Sequence, residues 1–361
     1  MRNKSIVTLF LCIWSLLSLN AQTFTYTEAS NLTTGGKLFP DTPNPYHRVD
    51  TIRYKGFTKT ENLQVRESSG IFVAFNTNSR SIRVKSVFGD FEKPANTMGI
   101  SAYGYDLYIF RDGRWLWAGA AGSARKESEV TVVGGLDGSM HECLLYLPNR
   151  SEPLSVKIGV EEGAVLEAIP NPFRYRIGIF GSSFTHGTST SRSGMTYPAQ
   201  LSRSTGLQLL SLGCSGNCKM QPYFADALAD ADVDAFIFDT FSNPKEEEIK
   251  ERLFPFIERM ARSHPGKPLI FQSTIYRENR NFNTESAARE ESRIHLVDSL
   301  MQIACAKYPD VYFIHPCATS PDHETSVDGI HPGDYGYTLW TRSIEAPVLA
   351  ILEKYGIKLN K

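Results

Sequence analysis

The sequence is poor in cysteine, in net charge and in long apolar runs. Six cysteines among 361 residues cannot build the dense disulfide framework of a small secreted scaffold. Lysine and arginine number 38 against 39 acids, a net charge of −1, so the basic surplus that marks a nucleic-acid binder is missing and no nucleic-acid partner is expected. A disorder signature is missing too: 41% hydrophobic and 21% charged residues describe an ordinary globular chain, long enough for two cores. The apolar stretch 6–19 is too short to span a bilayer comfortably. Preceded by Arg2 and Lys4 and followed by Asn20-Ala21, it reads as a secretory signal peptide, residues 1–21, cut after Ala21. Leu19 at the minus-three position is larger than the usual small residue there. Cleavage would remove two basic residues and no acid, leaving a net charge of −3. The expected location is exported, periplasmic or extracellular, with no membrane span in the mature chain.

What is present divides near Pro170-Asn171-Pro172. Before it, the runs 70–76, 81–88, 105–110, 114–118, 128–133, 142–147 and 154–160 are rich in β-branched and aromatic residues and broken by Gly, Asn, Asp and Pro, which predicts an all-β sandwich over 22–172. Asp112-Gly113 marks a tight hairpin, and it places Trp115 and Trp117 on one face of one strand. That face either packs into the core or stacks on sugar rings. After the break, strand-like runs at 176–180, 207–212, 235–239, 269–272 and 311–314 alternate with helical segments, the pattern of a five-stranded parallel α/β domain over 173–361. One helix, predicted over 245–262, puts Ile249, Leu253, Phe256, Ile257 and Met260 on one stripe, with Glu246, Glu247 and Glu248 in its first turn. Another is predicted over 285–307, with Ile294, Val297, Leu300 or Met301, and Ala304 facing inward.

Two motifs carry chemistry: GSSFTHG at 181–187 and DGIHPGDYGY at 328–337. A serine hydroxyl attacks only when an imidazole takes its proton, and the imidazole needs a carboxylate on its other nitrogen to fix its tautomer. Ser183, His331 and Asp328 fit those roles, while Gly181 and Gly187 permit a sharp turn that lifts the serine off a strand end. The spacing is not the G-x-S-x-G elbow, and the acid lies just three residues before the histidine, so the geometry differs from that of α/β-hydrolases. GSSFTHG lacks the P-loop lysine and the G-x-G-x-x-G spacing, which weighs against a phosphate cradle. His315, Asp322, His323, Asp328 and His331 match no helix-borne or zinc-ribbon spacing, so no metal and no cofactor are expected. His186 reads either as a substrate contact or as a solvated loop residue. Cys143, Cys214, Cys218, Cys305 and Cys317 would remain after cleavage, an odd count that leaves one without an intramolecular partner. Cys214 and Cys218 read either as a disulfide or as two small buried residues.

In these blocks the chain resembles the SGNH (GDSL-type) hydrolase superfamily. Ser183 matches its nucleophile, with Ser182 where the family name has aspartate. Gly216 in LGCSGN and Asn243 in FSNP match the glycine N–H and asparagine amide that, with the Ser183 N–H, form the family's oxyanion hole. In FSNP the usual G-x-N-D context is replaced, and Asn243 also reads as a turn residue before Pro244. Asp328 and His331 match its D-x-x-H pair. Gly104-Tyr105-Asp106-Leu107-Tyr108 resembles the G-x-D-L-Y signature of an N-terminal domain in a subgroup of these enzymes. The resemblance implies a flavodoxin-like hydrolase domain behind a jelly-roll-like sandwich, and a serine esterase or acylhydrolase needing no cofactor. Its expected substrate is a small-molecule or glycan ester bearing short acyl groups, acetyl foremost. A lipase or thioesterase on the same scaffold, and a non-catalytic carbohydrate-binding protein, are the alternatives.

Overall fold

The computed structural model describes residues 22–91 and 94–359; the expected signal peptide, 1–21, lies outside them. Among the described residues, ten strands precede residue 170: β1 (Phe24–Glu28), β2 (Thr33–Gly35), β3 (Phe72–Thr77), β4 (Ser81–Phe91), β5 (Gly104–Arg111), β6 (Arg114–Gly122), β7 (Glu127–Gly134), β8 (His141–Tyr146), β9 (Ser151–Glu161) and β10 (Leu166–Ala168). They form two antiparallel sheets, β1-β9-β4-β7 and β10-β3-β8-β5-β6, with β2 added on β3. All seven expected runs are strands. The three extra ones, β1, β2 and β10, are only five, three and three residues long, too short to stand out from the surrounding chain.

Period-two alternation explains how this half is built. Val73, Phe75, Leu107, Ile109, Cys143 and Leu145 point between the two sheets, against Ile82, Val84, Val156 and Ile158. Phe72, Ala74, Tyr108, Leu144 and Tyr146 point the other way and pack on Phe173 and Ala199. The inner sheet is therefore buried on both faces, one against its partner sheet and one against the following α/β half. The hairpin between β5 and β6 pairs Arg111 with Arg114. Asp112 and Gly113 both have positive φ, 52° and 75°, as a two-residue type I′ turn demands. Trp115 and Trp117 do share a face, the one directed at the α/β half. Trp115 packs at the margin of that cluster. Trp117 is 56% exposed, with its indole N–H on Asp106 Oδ1 at 3.0 Å.

The second half contains β11 (Arg174–Gly181), β12 (Leu207–Gly213), β13 (Ala235–Asp239), β14 (Leu269–Gln272) and β15 (Val311–Ile314). They form one parallel sheet in the order β12-β11-β13-β14-β15, a flavodoxin-like arrangement that brings ligands to the carboxyl ends of the strands. The first predicted helix spans Glu246–Ser263 and buries the five expected side chains. The second spans Thr284–Lys307 and buries Val297, Met301 and Ala304, with Ile294 and Leu300 half-buried. Among the described residues, no helix is long and apolar enough to cross a membrane.

The two halves interlock. Leu38, Val49, Tyr54 and Val65, from the segment after β2, join Leu210, Phe236 and Phe256 in one core against the parallel sheet. The GYDLY string works in both directions: Tyr105 and Leu107 enter the sandwich core, while Asp106 and Tyr108 face the α/β half. There Asp106 accepts from the Gly194 N–H at 2.8 Å and from Arg192 Nη1 at 3.0 Å, and Arg192 also donates to the Tyr108 hydroxyl at 2.6 Å.

Candidate active site

β11 ends at Gly181, where a Cβ would lie 1.9 Å from Thr185 Oγ1, so only glycine lets the chain turn there. A four-residue helix, Ser183–His186, follows at once, capped by the Ser182 hydroxyl, which accepts from the Phe184 N–H at 3.2 Å. The Ser182 hydroxyl in turn donates to Asp239 Oδ2 at 2.8 Å. Asp239 ends the neighbouring strand β13, and Thr185 donates to it as well, at 3.0 Å. Burial pushes the Asp239 carboxyl up to about 6, against those hydrogen bonds. A carboxylate thus stands beneath the Ser183 turn although Ser182 stands where the family name has aspartate.

Ser183, His331 and Asp328 come together. His331 Nε2 lies 2.9 Å from Ser183 Oγ, across 148 residues of sequence. His331 Nδ1 lies 2.8 Å from Asp328 Oδ2. Asp328 Oδ1 accepts the backbone N–H groups of Ile330 and His331, at 3.0 and 2.8 Å, and Oδ2 accepts from Asn96 Nδ2 at 2.8 Å. Burial opposes ionisation of Asp328 but is outweighed by these bonds, which hold the carboxyl well below the usual carboxylate range. With an acceptor-only carboxylate on Nδ1, that nitrogen carries the ring proton, and Nε2 is left to accept from the Ser183 hydroxyl.

Burial pulls the His331 imidazole below its ordinary 6.5; Asp328 raises it, and the guanidinium groups of Arg150 and Arg277 lower it further. Only neutral imidazole can act as base, so a lowered value keeps the active form populated into mildly acidic solution. The kcat/KM profile is expected to rise to its plateau with a midpoint below about 6.5. A midpoint above 7 in a pH–rate measurement would contradict this picture of the ring.

Ser183 and His331 open onto a cleft of about 460 Å³, with Asp328 behind the imidazole. Gly216 lies there, exposed, with a φ of 72° that disfavours any side chain. Asn243 lines it too. Its Oδ1 accepts from the Cys218 N–H at 3.2 Å, which fixes the amide orientation and leaves Nδ2 as the donor for the cleft. Ser183, Gly216 and Asn243 follow β11, β12 and β13, so three neighbouring parallel strands deliver them to one rim. Of the twelve lining residues, only Phe184 and Ile330 carry apolar side chains, which makes the cleft polar.

His186 neither touches solvent nor lines the cleft. It is fully buried, with Nε2 3.0 Å from the Asn149 carbonyl and 2.8 Å from Glu67 Oε2, because the sandwich half closes over the GSSFTHG turn. Cys214 and Cys218 are free and buried. Among the described residues, no group of three or more His, Cys, Asp and Glu side chains could hold a metal ion. Sequence reasoning missed Asn96, Arg150 and Asp239. No local pattern marks them, since each acts across the fold, Asn96 reaching Asp328 over 232 residues.

Residues 174–349 match the GDSL-like lipase/acylhydrolase family, and residues 24–166 match the GxDLY domain described as the N-terminus of SGNH-hydrolase-type esterases. The chain is 36% identical to a GDSL-like lipase from Bacteroides ovatus, over 92% of this chain and 98% of that one, with a TM-score of 0.89. It shares its fold with a salicylyl-acyltransferase from a tetracycline biosynthetic pathway, at 19% identity over 92% of this chain and 98% of that one (TM-score 0.66). The fold is also that of an acetyl xylan esterase from the rumen bacterium Butyrivibrio proteoclasticus, at 12% identity over 91% and 99% (TM-score 0.57). No curated protein matches the chain. Two family domains in tandem, and a relative more than one-third identical along nearly its whole length, place this ester-bond hydrolase in the GDSL-like lipase/acylhydrolase family, in the group that carries a GxDLY N-terminal domain.

Proposed function

We propose that this chain is an exported serine esterase that removes short acyl groups, acetyl foremost, from carbohydrate. The observation that carries the reading is the Ser183–His331–Asp328 chain of contacts, at 2.9 and 2.8 Å, opening onto a polar cleft. Ser183 Oγ attacks the ester carbonyl as His331 Nε2 takes its proton. The negative oxygen of the tetrahedral intermediate is received by the Ser183 and Gly216 N–H groups and by Asn243 Nδ2. His331 returns the proton to the departing alcohol, and water, activated by the same ring, releases the acid from the acyl-enzyme. In this reading residues 1–21 are the export signal, 22–172 the sandwich domain and 173–361 the hydrolase domain.

The polar lining favours a sugar alcohol and a small acyl group over a lipase or thioesterase reading, because a long acyl chain needs apolar walls. The carbohydrate part of the reading is supported by the shared fold with an acetyl xylan esterase. A buried methylene is worth about 1 kcal/mol or more in an apolar pocket, and this cleft offers two apolar side chains. The expected result is that p-nitrophenyl acetate is hydrolysed with a kcat/KM at least about tenfold above that of the octanoate, and that acetate is released from acetylated xylo-oligosaccharides. Preference for octanoate would favour the lipase reading, and glycan binding without turnover of any ester the binding-protein reading.

A further inference from the structure

The Gly216 N–H and the Ser215 carbonyl belong to one peptide unit. A trans peptide is planar, so its C=O and N–H point in opposite directions, and whatever grips the carbonyl also aims the N–H. Two side chains grip it. Gln64 Nε2, on the helix Lys59–Arg66 in the N-terminal half, donates to Ser215 O at 3.0 Å, and Asn217 Nδ2 donates to the same oxygen at 3.0 Å. The two grips are linked, since Asn217 Nδ2 also donates to Gln64 Oε1 at 3.0 Å. Gln64 is only 3% exposed, so water has little access to its amide.

A second clamp holds the Ser215 side chain. Arg150 Nη2 donates to its hydroxyl at 2.6 Å, and the hydroxyl donates to His186 Nδ1 at 3.2 Å. Arg150 Nη1 also faces Nδ1, at 3.1 Å, while Nε2 faces the acceptors Asn149 O and Glu67 Oε2. Donors on one ring nitrogen and acceptors on the other fix His186 as neutral imidazole with the proton on Nε2. Burial, then Arg150 and Arg48, hold its pKa well below 6.5, in agreement.

We propose that Gln64 is a positioning residue for acyl transfer: by holding the Ser215 carbonyl it aims the Gly216 N–H at the oxyanion, and the Arg150–His186 clamp keeps the loop in register. The N-terminal half then sets the geometry of an oxyanion donor contributed by the other half. This inference rests on the reading of Gly216 as an oxyanion donor.

The test uses Gln64→Met in the full chain, which keeps the side-chain length and loses the donor. Losing one oxyanion donor costs about 10²–10³ in rate, so a mis-aimed one should cost about 10–100-fold in kcat. KM should stay within about twofold, and affinity for phenylboronic acid, which forms a tetrahedral anion on a nucleophilic serine, should fall by the same factor as kcat. The midpoint of the pH profile should not move, because His331 and Asp328 are untouched. If Gln64→Met does not fold, Asn217→Ala, which removes the other grip from the half-exposed loop, gives the same readouts. A kcat within twofold in the folded variant, or a fall in kcat with unchanged boronate affinity, overturns the proposal. Asn243→Ala separates the two failures. A loss of about 10²–10³ there, with Gln64→Met unaffected, sinks the positioning role alone; no loss in either variant sinks the reading of this rim as the oxyanion hole.

Discussion

Ser183→Ala is expected to reduce turnover of p-nitrophenyl acetate by about 10⁵–10⁶-fold, the loss seen when a triad nucleophile is removed and only binding and oxyanion stabilisation remain. The fold should persist. The turn that presents Ser183 is held by its neighbours, through the Ser182 cap and the hydrogen bonds of Ser182 and Thr185 to Asp239, none of which uses the Ser183 hydroxyl. A thermal melt within a few degrees of the parent protein should accompany the loss. A fluorophosphonate should add to the parent protein, seen as an intact-mass increase, and not to the variant. Activity within tenfold of the parent would mean that another group attacks the ester.

Asp328→Asn should cost about 10⁴ in kcat, because an amide in place of the carboxylate favours the wrong imidazole tautomer. The local geometry makes the change especially unfavourable. Oδ1 can still accept from the Ile330 and His331 N–H groups, which directs the new NH₂ toward His331 Nδ1. That nitrogen would then accept, placing the ring proton on Nε2, where it blocks deprotonation of Ser183. The same NH₂ would also face the Asn96 donor, 2.8 Å from the present Oδ2. Turnover within tenfold of the parent protein would remove Asp328 from the mechanism.

Much of the architecture is legible in local pattern. Runs of β-branched and aromatic residues broken by Gly, Asn, Asp and Pro marked seven strands of the sandwich, and the stripe Ile249, Leu253, Phe256, Ile257 and Met260 marked a helix whose buried face is that stripe. These patterns report which side of an element avoids water. They do not report what covers it. The runs around β3 and β8 therefore showed as strands, whereas their second buried face, against Phe173 and Ala199, was invisible. His186 was misread for the same reason: a histidine in a glycine-rich loop has nothing local to signal that residues from another half of the chain bury it.

The sequence by itself determined the family-bearing blocks, the residue types that can perform acyl transfer, and their placement after successive strands. Parallel strands all present their carboxyl ends on one edge, so Ser183, Gly216 and Asn243 converge once the strand assignments are made. Tertiary structure alone decided that the N-terminal half reaches the candidate site, with Asn96 on Asp328, Arg150 on Ser215 and Gln64 on the Ser215 carbonyl. Each of these is one hydrogen bond between residues at least 65 positions apart. Such contacts depend on how two bodies dock, a property of paired surfaces that no periodicity in either one encodes.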